Sequence, residues 1–507
     1  MLAGSGVGLV VGLGVTGYLL WQRPGVRTWV MERSLEGQLR SLQEPGTGGG
    51  PAYEGPVWEA RGLASGEALY DPMRIWEGHL RFTAEQWEGL GPVRIPSMPD
   101  WLGPDGTPRL RNPHAARPGV AGVFGFDLPW SRGDFEFGGV VFTNVGARFK
   151  GNGTFLAGLR SYRRPFKLDL NRHVRGQRLA GRSTLNLHNL EADRSFLSDT
   201  LGYEFFRDAG VPAPRTTFLR LYLGIEGRWE RELLGLYLMV ENPDAAWLRS
   251  AFGVDGVALY KPVTPELFDD LGDDWAAYAA VYDPKTKPDE GQQRRLMELC
   301  RWATRAEGAA FEEGLEGFFD LDALARFFAA LCLTASYDSV LDNGQNMLFW
   351  HDPRTDRFGF SPWDLDHSWG EFPFVGTAEQ RERASLFHPW VGRKRFLERL
   401  FASEIFLRRY RAELERMLGT QFVPERLDAR LDELAALIRP AVAEQSGRRL
   451  GQFERAVGEP DYSGPRDRHV HDERRRAVHQ LKRFFAARAE EARAQLEGRS
   501  AGVILGR

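Results

Sequence analysis

The spacing of apolar residues changes once along this chain, and that change limits the folds it can adopt. Up to about residue 240 the apolar residues alternate in short runs: GGVVFTNVGARF, RPFKLDL, then TTFLRLYLG and ELLGLYLMV across a glycine-containing connection. Alternation with glycine-rich breaks is the pattern of half-buried strands, and successive hairpins predict an antiparallel sheet. One helix interrupts it, with Leu197, Leu201 and Phe205 at four-residue steps and Gly210 and Pro212 as its stop. After residue 290 the spacing becomes helical. In DLDALARFFAALCLTASY, Leu324, Phe327, Phe328 and Leu331 form one stripe, and Val478, Leu481, Phe485, Ala492 and Leu496 form another on the closing Arg-rich helix. The expected class is therefore α+β, with a strand-rich lobe over 57–245 and a helical lobe over 246–497. A short tail, 498–507, follows.

Residues 1–22 carry no charge and are about as long as a bilayer crossing requires. They predict a membrane anchor or a signal segment, and so a membrane-anchored or secreted, extracytoplasmic protein. Residues 23–56, with PGTGGGP inside them, read as a linker. The glycines of Gly4-Ser5-Gly6-Val7-Gly8 do not follow a strand, which removes a dinucleotide loop. With 66 basic against 69 acidic residues the chain has no field that favours nucleic acid, and none is expected as a partner. Cys300 and Cys332 each sit in an apolar helical stretch, which predicts buried thiols rather than a disulfide or zinc site.

The segment Tyr337–Gly370 carries the chemistry. NMLFWH and RFGFSPW, joined by DPRTD, predict a hairpin; Asp338, Asp342 and Asn346 precede it, and Asp364 and Asp366 follow it. A hairpin returns its ends to one place, so these groups should be neighbours. Carboxylates gathered without nearby Lys or Arg repel one another, and a divalent cation relieves the repulsion. Phosphoryl transfer needs a carboxylate for the hydroxyl and an Asn with an Asp for the metal, and protein kinases place them in this order around a hairpin. Helix and turn capping is the competing use of such residues. A second segment bears on the choice: ARFKGNGTF followed by RRPFKLDL predicts a strand, a glycine turn and a return strand bearing Lys167, suited to nucleotide phosphates.

RFKGNGTF, RRPFKLDL, STLNLHNLEADRSFLSDTLGYEFFRDAGVPAPR, LGLYLMVE, ALYKP and SPWDLDHSWG, in that order, resemble the successive signatures of the CotH (spore coat protein H) kinase family over roughly residues 70–497. The resemblance implies an atypical protein-kinase-like fold that binds ATP and magnesium, with manganese or calcium as alternatives, and phosphorylates Ser or Thr of a protein partner. Carried onto this chain, it makes Asp364 the principal metal ligand with Asn346 as partner and Asp366 as a further candidate. Lys167 becomes the nucleotide lysine. Asp338 and Asp342 are both candidates for the catalytic Asp: the family's Asp-Ser matches Asp338, while ordinary kinase spacing favours Asp342. Arg148 and Lys150 flank the glycine turn, Glu241 ends a strand as a nucleotide-edge contact would, and Lys261 belongs to ALYKP. Two other classes stay open: an inactive kinase-like structural or adhesive module, and a metal-dependent hydrolase using Asp364, Asp366 and either His367 or His351.

Overall fold

The computed structural model of the chain describes residues 50–92, 127–151, 154–155, 161–264, 266–458 and 479–506. Residues 1–22, on which the anchor expectation rests, lie outside these, as do most of the linker and Val478. No helix among the described residues is long and apolar enough to cross a membrane.

Seven strands form a closed barrel: β1 (Ile75–Phe82), β2 (Ser131–Phe137), β3 (Val140–Phe149), β4 (Phe166–Asp169), β5 (Thr184–His188), β6 (Thr216–Ile225) and β7 (Trp229–Glu241), in the order β1-β2-β3-β4-β5-β7-β6. An α+β chain is thus observed, but a barrel replaces the expected antiparallel sheet. Its closing pair, β1 with β6, is parallel, Ile75 facing Phe218 and Phe82 facing Ile225. Periodicity reports which face a residue occupies and says nothing about strand direction, so this pair was not legible. Closure gives every one of these strands a neighbour on both sides, which removes the exposed edges of an open sheet.

Alternation then sorts the side chains. Phe149, Phe166, Leu168, Leu185, Leu187 and Met239 point inward and belong to the barrel core. Their chain neighbours point outward: Arg148 lies opposite Lys167, and Lys167 opposite Asn186, giving one polar row across β3, β4 and β5. Lys150 and His188, two residues further along their strands, share this face. On the next part of the wall, Phe218 of β6 and Leu236, Leu238 and Val240 of β7 are apolar on the outside too, because helices cover them. These side chains belong to one continuous apolar cluster with the helical half of the chain.

The helices that matter to the site are α1 (Ser198–Asp208), α2 (Glu290–Arg305), α3 (Leu321–Leu333), α4 (Glu404–Gly419), α5 (Pro424–Gln445) and α6 (Leu481–Leu496). Gly210 follows α1 with φ +86°, the left-handed conformation in which a helix readily ends. On α3 the expected stripe is buried, and the helix lies against α4. Helix α5 lies on β7, where Arg220 of β6 reaches Glu444 at 2.7 Å and ties barrel to helix. Cys300 and Cys332 are buried free thiols. A three-stranded sheet completes the fold, β8 (Ala258–Tyr260) beside β9 (Met347–Asp352) beside β10 (Arg357–Pro362). The β9–β10 pair is the hairpin read from the sequence.

Candidate active site

The hairpin closes as its pattern requires. Met347 faces Pro362 in the ladder, and just beyond it Trp363 N–H donates to the Asn346 carbonyl at 3.3 Å. Asn346 and Asp364, well separated in sequence, are thereby brought to one place. Asn346 Nδ2 donates to Asp338 Oδ2 at 2.9 Å, and Gln345 Nε2 and the Asn343 amide both donate to Asp338 Oδ1. Three amides therefore cradle one carboxylate. Asp342 is different: it is 2% exposed, and its backbone N–H closes a turn onto the Ser339 carbonyl.

Asp364 sits in left-handed backbone at φ +58°, a conformation that Asp tolerates better than most residues. Two contacts from α1 hold the loop there. Asp364 N–H donates to the Tyr203 hydroxyl at 2.9 Å, and Leu365 N–H donates to Asp199 Oδ1 at 2.7 Å. Close approach is possible because α1 has Gly202 at the crossing: a Cβ there would lie 2.8 Å from Leu365 Cδ1. The Asp364 side chain is 38% exposed, and its Oδ1 lies 3.8 Å from His188 Nδ1, which is 3.4 Å from Asp199 Oδ2. The three donor atoms of His188, Asp199 and Asp364 lie within 4.8 Å of one another, as do those of Asp338, Asp366 and His367. Donor sets of this kind, carboxylates with an imidazole, suit a divalent cation.

The surroundings correct one expectation. The carboxylates are not without nearby cations: Lys150 Nζ lies 2.5 Å from His188 Nε2, and Lys150 and Lys261 lie 5.7 and 5.2 Å from the centre of the Trp363 ring. Burial acts to raise the Asp364 pKa, but His188, Lys150 and Lys261 outweigh it and hold the carboxyl below its ordinary value. Asp366 goes the other way, pushed well up by burial and by the charges of Asp364, Asp199 and Asp338 against the opposing effect of His367. Burial would lower His367, yet Asp366 and its hydrogen-bonded partner Glu371 raise it to about 10. Burial brings Lys150 and Lys261 down to about 8 even though Asp364 opposes the shift. Lys167 falls to about 7, through burial and then the like charges of Arg148, Lys150, Lys285 and Lys261.

The nucleotide candidates divide accordingly. Lys150 and Lys261 stand beside Asp364. Lys167 stands one strand away, its Nζ donating to Asn242 Oδ1 at 3.2 Å, and Asn186 Nδ2 reaches the same oxygen at 3.1 Å. The Arg148 guanidinium lies over Trp130 at 5.1 Å on the same row. Glu241 is buried in ion pairs: its carboxylate is 1% exposed and takes Arg182 at 2.7 Å and Arg215 at 3.0 Å. His351 pairs with Asp356 at 2.9 Å near the turn end of the hairpin, away from the Asp364 end.

Sequence reasoning missed His188, Asp199, Tyr203, Trp363 and Asn242. Two signals were available. His188 follows Asn186 at strand spacing, on the face of Lys167, and Asp199 lies two positions before Leu201 of the apolar stripe, close enough to be buried with it.

The CotH kinase protein family model matches residues 147–491. The chain belongs to the CotH kinase family. A search of curated proteins finds no match to it. The family match starts inside β3 and ends inside α6, so it spans every site residue named above except Trp130, while β1 and β2 lie before it. In this CotH-family chain the barrel is thus closed by strands N-terminal to the matched region.

Proposed function

We propose that this CotH-family protein is an atypical kinase that transfers phosphate from ATP to Ser or Thr of a protein substrate. The observation that carries the reading is the pairing of Asp364 with Lys150 and Lys261 on one side and the amide-cradled Asp338 on the other. Lysines next to a metal-binding carboxylate suit nucleotide phosphates, and a fixed carboxylate nearby suits the incoming hydroxyl. The chain order of lysine-bearing strands, Asp338, Asn346, hairpin and Asp364 also follows that of protein kinases, which supports a kinase-like arrangement of the halves.

In this reading Lys150 and Lys261 bind the phosphates directly, and Lys167 adds charge from the neighbouring strand. Trp363 offers its ring to both Lys150 and Lys261. A divalent cation, when bound, neutralises phosphate charge and is held by Asp364. Asp338 orients the hydroxyl and accepts its proton; Asp342, deeper in the fold, supports the turn that carries Asp338. Residues 1–22 would keep the reaction at a membrane or outside the cytosol.

Radiolabelled phosphate transfer by Asp338→Asn and Asp342→Asn tests the assignment. Asp338→Asn is expected to lower turnover about 100-fold or more with ATP affinity kept. Asp342→Asn is expected to lose melting temperature before it loses turnover per folded molecule. The opposite pattern exchanges their roles. Absence of transfer by the parent protein, with ATP bound, would favour an inactive kinase-like module.

A further inference from the structure

We infer that His188 is a positioning residue: it relays a hydrogen bond between Asp199 and Lys150, and so fixes the lysine that the proposed site turns toward the phosphates of ATP. The inference rests on the nucleotide reading of the site for what Lys150 binds; the relay itself is in the geometry.

Each proton of the relay has one place to go. Lys150 Nζ lies 2.5 Å from His188 Nε2. An ammonium can only donate, so this ring nitrogen accepts and the ring proton sits on Nδ1. There it faces Asp199 Oδ2 at 3.4 Å, and the carboxylate accepts it. The other Asp199 oxygen takes Leu365 N–H at 2.7 Å. One carboxylate in the first turn of α1 therefore holds the barrel's lysine through the ring and the 363–366 loop directly. His188 and Asp199 are 7% and 1% exposed, so water competes little for these bonds.

The lysine needs such a hold. Its ammonium is attracted by Asp364, and a direct pair between them would use up the lysine's charge and the loop's carboxylate together. Among the described residues Asp364 pairs with His188 and not with Lys150. A carboxylate in place of the ring would also hold the lysine, but it would set another negative charge where phosphates must sit; a ring with its proton on Nδ1 adds none. Protein kinases fix their phosphate lysine by pairing it with a Glu on a helix. Here the helix supplies Asp199, and the imidazole stands between. Satisfying buried polar groups is the competing use of this network, and it ties the effect of His188 to stability, with no dependence on Lys150.

The full chain is titrated calorimetrically with ATP and magnesium, and its histidines are observed by nitrogen-15 NMR. His188 should carry its proton on Nδ1 with Nε2 bare. His188→Leu should weaken ATP binding about tenfold, and Lys150→Met about 30-fold. In the double variant the losses should not add: His188→Leu should cost less than about twofold once Lys150 is gone, because the ring then has nothing to place. His188→Gln should restore affinity to within about threefold of the parent, since its amide can accept from Lys150 and donate to Asp199. Asp199→Asn serves if His188→Leu does not fold. It can keep an oxygen for Leu365 N–H but turns an amide N–H toward the ring N–H, so it too should cost about tenfold. A proton on Nε2, unchanged affinity in the single variants, or losses that add in the double variant would each overturn the inference and leave the kinase reading standing. ATP binding with non-additive losses but no phosphate transfer keeps the relay and removes the kinase. A parent protein that binds no ATP removes both.

Discussion

Replacing Glu241 by alanine separates a fold-holding carboxylate from a nucleotide-binding one. Glu241 ends β7 at 1% exposure, and its two oxygens take Arg182, Arg215 and the Arg215 backbone N–H. Breaking a buried ion pair by removing one partner costs about 3–5 kcal/mol, because the remaining charge stays desolvated. Two guanidinium groups are left here, but Arg215 is 21% exposed and Arg182 10%, so water can partly reach them. The lower end, about 3 kcal/mol, is the expected loss. For a folded unit of this size that is a fall of about 4 °C in melting temperature. The assay is thermal melting together with calorimetric ATP titration below the transition. Affinity of the folded variant should stay within about threefold of the parent, since a factor of three is only about 0.7 kcal/mol. Unchanged melting with ATP affinity lowered tenfold would refute the reasoning and return Glu241 to the nucleotide edge.

Asp364→Asn should abolish metal-dependent transfer, and its melting temperature should fall slightly, because Lys150, Lys261 and His188 lose the carboxylate that offsets them; a rise in melting temperature would contradict that sign. ATP affinity should decline as pH rises through about 7, where Lys167 loses its proton, and again above about 8 with Lys150 and Lys261. Phosphate raises each lysine's pKa, so binding takes up protons and affinity falls as they become scarce, by at most about tenfold per pH unit per lysine. Lys167 also sits below its unfolded value, so its contribution to folding stability improves from about pH 7 upward toward its ordinary value of 10.5. Calorimetry from about pH 6 to about pH 9 checks this: Lys167→Met should erase the first step, and a flat parent profile would remove these lysines from the phosphate site. Gly202→Ala should push Leu365 away, shift the adjacent Asp364 and lower metal-dependent transfer about tenfold while α1 stays helical by circular dichroism; unchanged transfer would mean the loop absorbs the methyl group.

Local pattern settled much of this protein. The α+β class, the strands before residue 245, the helices after 290 and the hairpin between Asn346 and Asp364 were legible because each depends on neighbours a few positions away. The same locality made Asp338, Asn346, Asp364 and Asp366 visible as one group. Tertiary structure alone decided the rest. Barrel closure pairs Ile75 with Phe218 in parallel, a contact between strands far apart in the chain that no period encodes. Lys150 rather than Lys167 stands nearest Asp364 because the outer faces of β3 and β5 meet the 363–366 loop there. Glu241 became an ion-pair centre because Arg182 and Arg215 arrive from separate segments, and His188 and Asp199 joined Asp364 for the same reason. The charge balance of the site is a sum over residues from both halves of the chain. Which charged groups exist is a property of the sequence; only folding sets the distances that determine which of them prevail.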